Sequence, residues 1–243
     1  MVSRKKITIS WSGGKDSAFA LFKVMASGEF EIVNLHTVID KETRRVGLHG
    51  IHETLIEQQA AQLGVPLVKL YLTASQDHDT YTALMKSFYK ICASDGIEAV
   101  MYGDIFLEDL RAFRESLLAE SKLEPIFPLW GIDSRMLLSD FIGAGFKTVL
   151  CAADASLFAE EDLGRFLDDE FLETLSPTID PCGECGEFHT FVVGGPIFKS
   201  DIAIERKQVV KKTYTYAVTL PDGESEKKES AFWFQDLRLR ISS

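Results

Sequence analysis

Near the amino terminus the spacing of hydrophobic residues changes period within one short stretch. Ile7 and Ile9 alternate with polar neighbours, which predicts a strand. After Gly13 and Gly14 the apolar residues Ala18, Leu21, Phe22 and Met25 recur at helical spacing. A second strand (Ile32 to Val38) and a helix over about residues 52–63 follow, the helix carrying Ile56, Ala60 and Leu63 on one face. VPLVKLY reads as the next strand. Tyr81, Leu84, Met85, Phe88 and Ile91 mark a long helix, with Asp77 or Asp79 as its cap and an end near Gly96. IEAVMYGD is an apolar run that stops at Gly103, and a helix passes through Leu110, Phe113 and Leu117. Strands alternating with helices predict an α/β fold, a Rossmann-like doubly wound parallel sheet with right-handed crossovers.

The rhythm changes at KLEPIFPLWG, where Pro125 and Pro128 bracket a short extended segment. A domain boundary is expected there, giving a nucleotide-binding domain over 1–126 and a smaller α+β substrate domain over 127–243. The second part reads as a helix at Leu137, Leu138 and Phe141, a strand ending in VLCAADA, a helix around Leu163, Phe166 and Leu167, and a loop TIDPCGECGE. Its tail reads as antiparallel strands: EFHTFVV, PIFKSDIAI, VVKKTYTYAVTL, a PDGE turn, then SAFWFQDLRLRI. Trp233 and Phe234 are expected to fill core or a subunit interface.

Composition narrows the class. With 46% hydrophobic and 26% charged residues among 243, the chain is an ordinary globular protein. No apolar run reaches the roughly 20 residues of a membrane helix, and no secretory signal is visible, so a cytoplasmic address with no membrane partner is expected. Four cysteines, at 92, 151, 182 and 185, are too few for a disulfide scaffold. A net charge of -11 argues against DNA as a partner. The basic run Lys199 to Lys212 reads as lysines guarding a strand edge, and unpaired edges in the tail make a homodimer reasonable.

Ser12, Gly13, Gly14, Lys15, Asp16 and Ser17 lie where a parallel strand hands over to a helix, the position at which open α/β sheets bind ligands. Glycines let the main chain approach an anion, the helix N-terminus favours negative charge, and Lys15 adds a cation. The run is not a Walker A loop, since Ile9 stands at the first glycine position and Asp16 follows the lysine, and it lacks G-x-G-x-x-G. It resembles the PP-loop of N-type ATP pyrophosphatases. The resemblance implies that Ser12, Gly13, Gly14, Lys15 and Ser17 cradle pyrophosphate leaving ATP, and that Asp16 helps hold magnesium.

Further blocks, LHGIHETLIEQQAAQLGVPLVK, GDIFLEDLRAFRE, PIFPLWGIDSRMLL and GECGEFHTFVVGGPIF, are similar in order and content to the diphthine-ammonia ligase family over most of residues 5–200. That resemblance implies adenylation of a carboxylate by ATP and displacement of AMP by ammonia, the acceptor in the family being the modified histidine, diphthine, of elongation factor 2. Free ammonium or a separate donor protein is expected to supply the nitrogen. Cys185 and His189 stand where the family pattern has glycine and glutamate, and the segment with Asp104, Glu108 and Asp109 is also altered.

Other candidates follow from position or, for His49, Glu184, Glu187 and Thr190, from the family blocks that the resemblance covers. Thr37, Gly103 and Asp104 are expected at the nucleotide, although Asp104 could equally cap the next helix. Glu184 and Glu187 could bind ammonium or take its proton. His49, Arg111, Arg114 and Thr190 are candidate substrate contacts, with surface ion pairing the rival role for the two arginines. His52 reads as a helix start. Cys182 and Cys185 form one CxxC, a weak metal or redox signal. The rival functions are tRNA thiolation, which would need those thiols, and a nucleotide-binding module without turnover.

Overall fold

The computed structural model describes residues 4–73, 78–219 and 225–240. Its elements in chain order are β1 (Lys5–Ser10), α1 (Lys15–Ser27), β2 (Phe30–Asp40), β3 (Arg45–Val46), β4 (Ile51–His52), α2 (Glu53–Leu63), β5 (Leu67–Leu72), α3 (His78–Ser94) and β6 (Ala99–Met101). They continue with α4 (Glu108–Leu118), β7 (Glu124–Ile126), α5 (Ser134–Gly143), β8 (Lys147–Asp154), α6 (Asp169–Thr174), β9 (Phe188–Gly194), β10 (Ile204–Thr219) and β11 (Ser225–Leu239).

Five strands run parallel in the order β5, β2, β1, β6, β7, with β3 and β4 as an antiparallel extension at Ile39. The chain leaves β1 toward β2 on one side and later returns to β6 on the other. The gap between the carboxyl ends of β1 and β6 is therefore the topological switch point. Ile7, Thr8 and Ile9 are fully buried, as expected of a central strand covered on both faces. The second sheet is antiparallel, in the order β10, β11, β8, β9. The expected parallel nucleotide fold and the antiparallel tail are both present.

The two sheets share one apolar core. Phe19 of α1 meets Phe141 and Phe146 edge-on, and those two rings stack with centroids 4.6 Å apart. Ile7, Ile9, Phe191 and Val192 belong to the same cluster. A second cluster, built from Met85, Phe88, Tyr89, Val100, Tyr102 and Leu117, places α3 and α4 on the other face of the parallel sheet.

Several local expectations need correction. The segment around Leu163, Phe166 and Leu167 is not a helix: it runs beside β8, with the Leu150 and Leu167 amides donating to the Arg165 and Thr148 carbonyls. Gly164 at φ 81° breaks the helical spacing, and the helix starts one step later, where Asp168 caps α6. PIFKSDIAI is a loop up to Ile204, because Gly195 turns the chain and the Lys199 amide donates to the Gln62 carbonyl on α2. The short extended segment at Pro125 is β7, which pairs with β6 as the fifth parallel strand. Asp79 stands inside the first turn of α3 rather than at its cap. Asp77 and the PDGE turn at 221–224 lie outside the described residues. His52 does cap α2, its ring accepting from the Thr54 amide. Among the described residues no helix is long and apolar enough to cross a membrane.

Candidate active site

The seam between β1 and α1 forms a tight loop at the switch point. Gly13 adopts φ 83°, which only glycine takes without strain. Gly14 is the N-cap of α1 and has no side chain to cap it, so the helix start is not closed off by its own N-cap residue. The Ser12 hydroxyl accepts from the Gly14 amide at 3.2 Å and lies 3.3 Å from the Ser17 hydroxyl, which donates to the Gly14 carbonyl. Two hydroxyls, the N-terminus of a helix and a lysine are a donor set that suits phosphate oxygens.

Lys15 is almost fully buried. Its ammonium donates to both Asp16 carboxylate oxygens at 2.8 Å and to the Cys182 carbonyl, and lies 5.5 Å from the centroid of the Phe188 ring. Burial pulls its pKa down; the Asp16 charge, aided by Cys182 and Glu184, outweighs that and leaves the value above the ordinary one. The lysine thus stays cationic, held by groups that an incoming anion can displace.

A cleft of about 640 Å³ opens over this loop, within the range of small-molecule sites. Of the sequence candidates, Ser12, Lys15, Asp16, Ser17, Thr37, His49, Gly103, Asp104, Arg114, Glu184 and Thr190 line it. Gly13 and Gly14 sit behind as backbone. Thr190 accepts the Lys15 amide through its hydroxyl at 3.0 Å, tying β9 to the loop. His49 lies 3.2 Å by Nδ1 from the Thr190 carbonyl, so Nδ1 must carry the proton. Burial first, then Lys15, pulls the His49 pKa down to about 4, so its ring is neutral at physiological pH.

Asp104 does not cap the next helix, whose N-cap is Leu107; its carboxylate instead takes the Arg114 guanidinium at 3.2 Å. Arg114 also donates to the Tyr81 hydroxyl and lies over the Tyr102 ring. Arg111 does not line the cleft: it pairs with Glu115 and lies over the rings of Phe127 and Trp130. Glu187 also stays outside the lining, one oxygen accepting from the Asp180 amide and so bracing the 180–187 loop.

Glu184 is the acid that this loop presents to the cleft. Its Oε1 accepts from the Ile105 amide at 2.8 Å. Burial, with Asp16 and Asp104 adding to it, raises its pKa to about 7 against the pull of the Ile105 bond and Lys15. A carboxyl poised there can exchange a proton near neutrality. The two thiols are not poised. Cys182 is buried, its thiol donating to the Ser134 carbonyl, and burial pushes its pKa up. Cys185 is exposed yet also raised, by burial and by Glu187, Asp180 and Glu184. Among the described residues no cluster of three metal-ligating side chains exists.

Sequence reasoning missed the groups behind the cleft wall. His36 lines it, with its pKa lowered to about 3 by burial and Arg114. It bonds Thr8 through Nδ1 and meets the Tyr89 hydroxyl, which Tyr102 donates to. Trp11 and Gln59 support the loop from behind. Gln59 did leave a trace, a polar residue on the same face as Ile56, Ala60 and Leu63.

The carboxyl end of β6 closes on the loop so tightly that Gly103 has no space for a side chain. A Cβ there would come within 2.8 Å of the Asp16 carbonyl carbon and the Ser17 amide nitrogen. Gly103→Ala should therefore cost about 1–3 kcal/mol of stability, read by urea unfolding, because the loop itself must move.

The family models and the named relatives point to one family. Residues 5–125 match the model of the diphthamide synthase N-terminal domain and residues 133–220 that of the diphthamide synthase C-terminal domain. A protein of Danio rerio named diphthine--ammonia ligase is 26% identical, over 82% of this chain and 86% of its own. The Homo sapiens protein of the same name is 24% identical, over 82% of each chain. That of Schizosaccharomyces pombe is 27% identical, but this chain spans only 36% of it. A solved structure titled as a predicted subunit of tRNA methyltransferase from Methanocaldococcus jannaschii aligns with 82% of this chain and 100% of its own, at 16% identity and a TM-score of 0.41, too loose a likeness to carry weight. The two domain models, matched in order across most of the sequence, place the chain in the diphthamide synthase, or diphthine-ammonia ligase, family.

Proposed function

We propose that the cleft binds ATP with its two outer phosphates on Ser12–Ser17, adenylates a carboxylate and amidates it with ammonia, the acceptor being diphthine of elongation factor 2. The observation that supports this most is the pairing of a phosphate cradle at the switch point with a carboxyl of pKa about 7 in the same cleft. In the first step an acceptor carboxylate oxygen attacks the α-phosphorus and pyrophosphate leaves. Lys15 turns from Asp16 and the Cys182 carbonyl to the departing phosphates, and the loop amides and the Ser12 and Ser17 hydroxyls share their charge. In the second step ammonia adds to the acyl carbon, AMP leaves, and Glu184 takes the proton that the nitrogen sheds. Thr37 and Gly103 border the nucleotide, His49 and Thr190 hold the loop face, and Arg114 with Asp104 shapes the acceptor side.

Magnesium fits this donor set. Asp16, Asp104 and Glu184 face one cleft, and magnesium at phosphates uses one or two carboxylates and keeps water on its other positions. Asp16 is the ligand we assign; the ion would neutralise phosphate charge.

Incubation with labelled ATP, ammonium and diphthine-bearing elongation factor 2 should give AMP, pyrophosphate and amide in equal amounts. ADP and orthophosphate would sink the assignment. Thiolation makes the opposite demand on the cysteines, so Cys182→Ser with Cys185→Ser separates the two. Amidation should survive within about tenfold, since neither thiol is poised as a nucleophile; complete loss, with the fold intact, would favour sulfur chemistry.

A further inference from the structure

Gln59 is wholly buried, though it is polar and sits on the apolar face of α2. Its Oε1 accepts from the Trp11 indole N-H at 2.9 Å, while its Nε2 donates to the Gly13 carbonyl at 3.0 Å and the Val192 carbonyl at 2.7 Å. The orientation of the amide is forced. An indole nitrogen can only donate and a carbonyl can only accept, so no flipped amide satisfies all three partners. The Gly13 carbonyl receives a second bond, from the Val192 amide at 2.9 Å.

A trans peptide is planar, with its C=O and N-H pointing to opposite sides. Holding the Gly13 carbonyl back against Gln59 and Val192 therefore turns the Gly14 N-H to the other side, where it meets Ser12 Oγ at the cleft. Gly13, free to adopt many conformations, needs such an anchor to keep that plane. The same amide ties α2 to two segments distant from it in sequence: the loop after β1, through Trp11 and Gly13, and β9 of the second sheet, through Val192.

We infer that Gln59 is a positioning residue that sets the Gly13-Gly14 peptide plane for phosphate binding and locks the loop to β9. The inference rests on the proposal that this loop takes the outer phosphates of ATP. The test uses inorganic pyrophosphate as a probe, titrated calorimetrically into the full chain, alongside steady-state kinetics in ATP and thermal melting. Gln59→Met keeps the length and removes all three bonds. Because the Val192 amide still holds Gly13, its effect is partial: pyrophosphate affinity should fall about tenfold, with KM for ATP rising by a similar factor and kcat changing little. Reduced melting temperature with unchanged affinity and KM would make Gln59 merely structural and overturn the inference.

Gln59→Glu covers the case in which the methionine variant does not fold. Its protonated acid keeps one donor, so pyrophosphate affinity should recover toward wild type as pH falls; a pH profile parallel to wild type would overturn the inference. If wild type binds no pyrophosphate at all, the phosphate assignment fails and takes this inference with it. A wild type that binds, beside a Gln59→Met variant that binds equally, removes only the role of Gln59.

Discussion

Lys15→Ala should lower ATP-dependent AMP and pyrophosphate formation by about two to three orders of magnitude, the usual effect of deleting one positioned donor from a charge-stabilising site. The effect is large because this ammonium is already desolvated. It lies almost wholly inside the protein, against the Phe188 ring, and its partners are Asp16 and one main-chain carbonyl. A cation stripped of water interacts strongly with a phosphoryl group that accumulates charge as the bond to the α-phosphorus breaks. Lys15→Arg should recover little, since a planar guanidinium cannot occupy the space of a compact ammonium beside the Cys182 carbonyl. The check is single-turnover release of pyrophosphate at saturating ATP, with melting as a control. An unchanged rate would mean that the outer phosphates lie elsewhere.

The loop was legible in the sequence because its determinants are local. A strand period, a glycine pair, a lysine and a helix period within one short segment fix both its shape and its place at the carboxyl end of a strand. The partners that make the loop rigid were not. Thr190, Val192 and Gln59 reach Gly13 and Lys15 from far along the chain, and no spacing rule encodes which β9 residue meets which amide. Thr190 was named only through a family block, and Gln59 only showed as a polar break in an apolar stripe. The misread stretch at Leu163 to Leu167 has the same origin. Its apolar spacing suits a helix, but hydrogen bonds to the edge of β8 overrode local preference, and Gly164 at positive φ sealed that outcome. The two arginines show the limit on the site itself: placed three apart on one helix, they diverge, Arg114 to Asp104 in the cleft and Arg111 over Phe127 and Trp130 outside it.

Glu184→Gln should separate the two halves of the reaction. The amide keeps an oxygen for the Ile105 N-H, so the 180–187 loop stays in place, but the side chain can no longer take a proton. Exchange of pyrophosphate into ATP, which reports adenylation alone, should stay near wild type. Amide formation should fall about 10²- to 10⁴-fold, the range for loss of a general base. In wild type the amidation rate, measured at constant free ammonia, should rise with pH through about 7 and then level, because only the ionised carboxylate accepts the proton. The variant should lose that limb. Stability should move the other way. A carboxyl raised from 4.5 to about 7 binds its proton more tightly in the folded chain, so its contribution is present at low pH and is lost as pH climbs through about 7. At pH 8 the glutamine variant should therefore unfold at a higher urea concentration than wild type while working far more slowly, a combination that general damage to the fold does not produce. If the exchange reaction collapses together with amidation, Glu184 serves the nucleotide or its magnesium, and the proton acceptor must be sought among the other groups of the cleft.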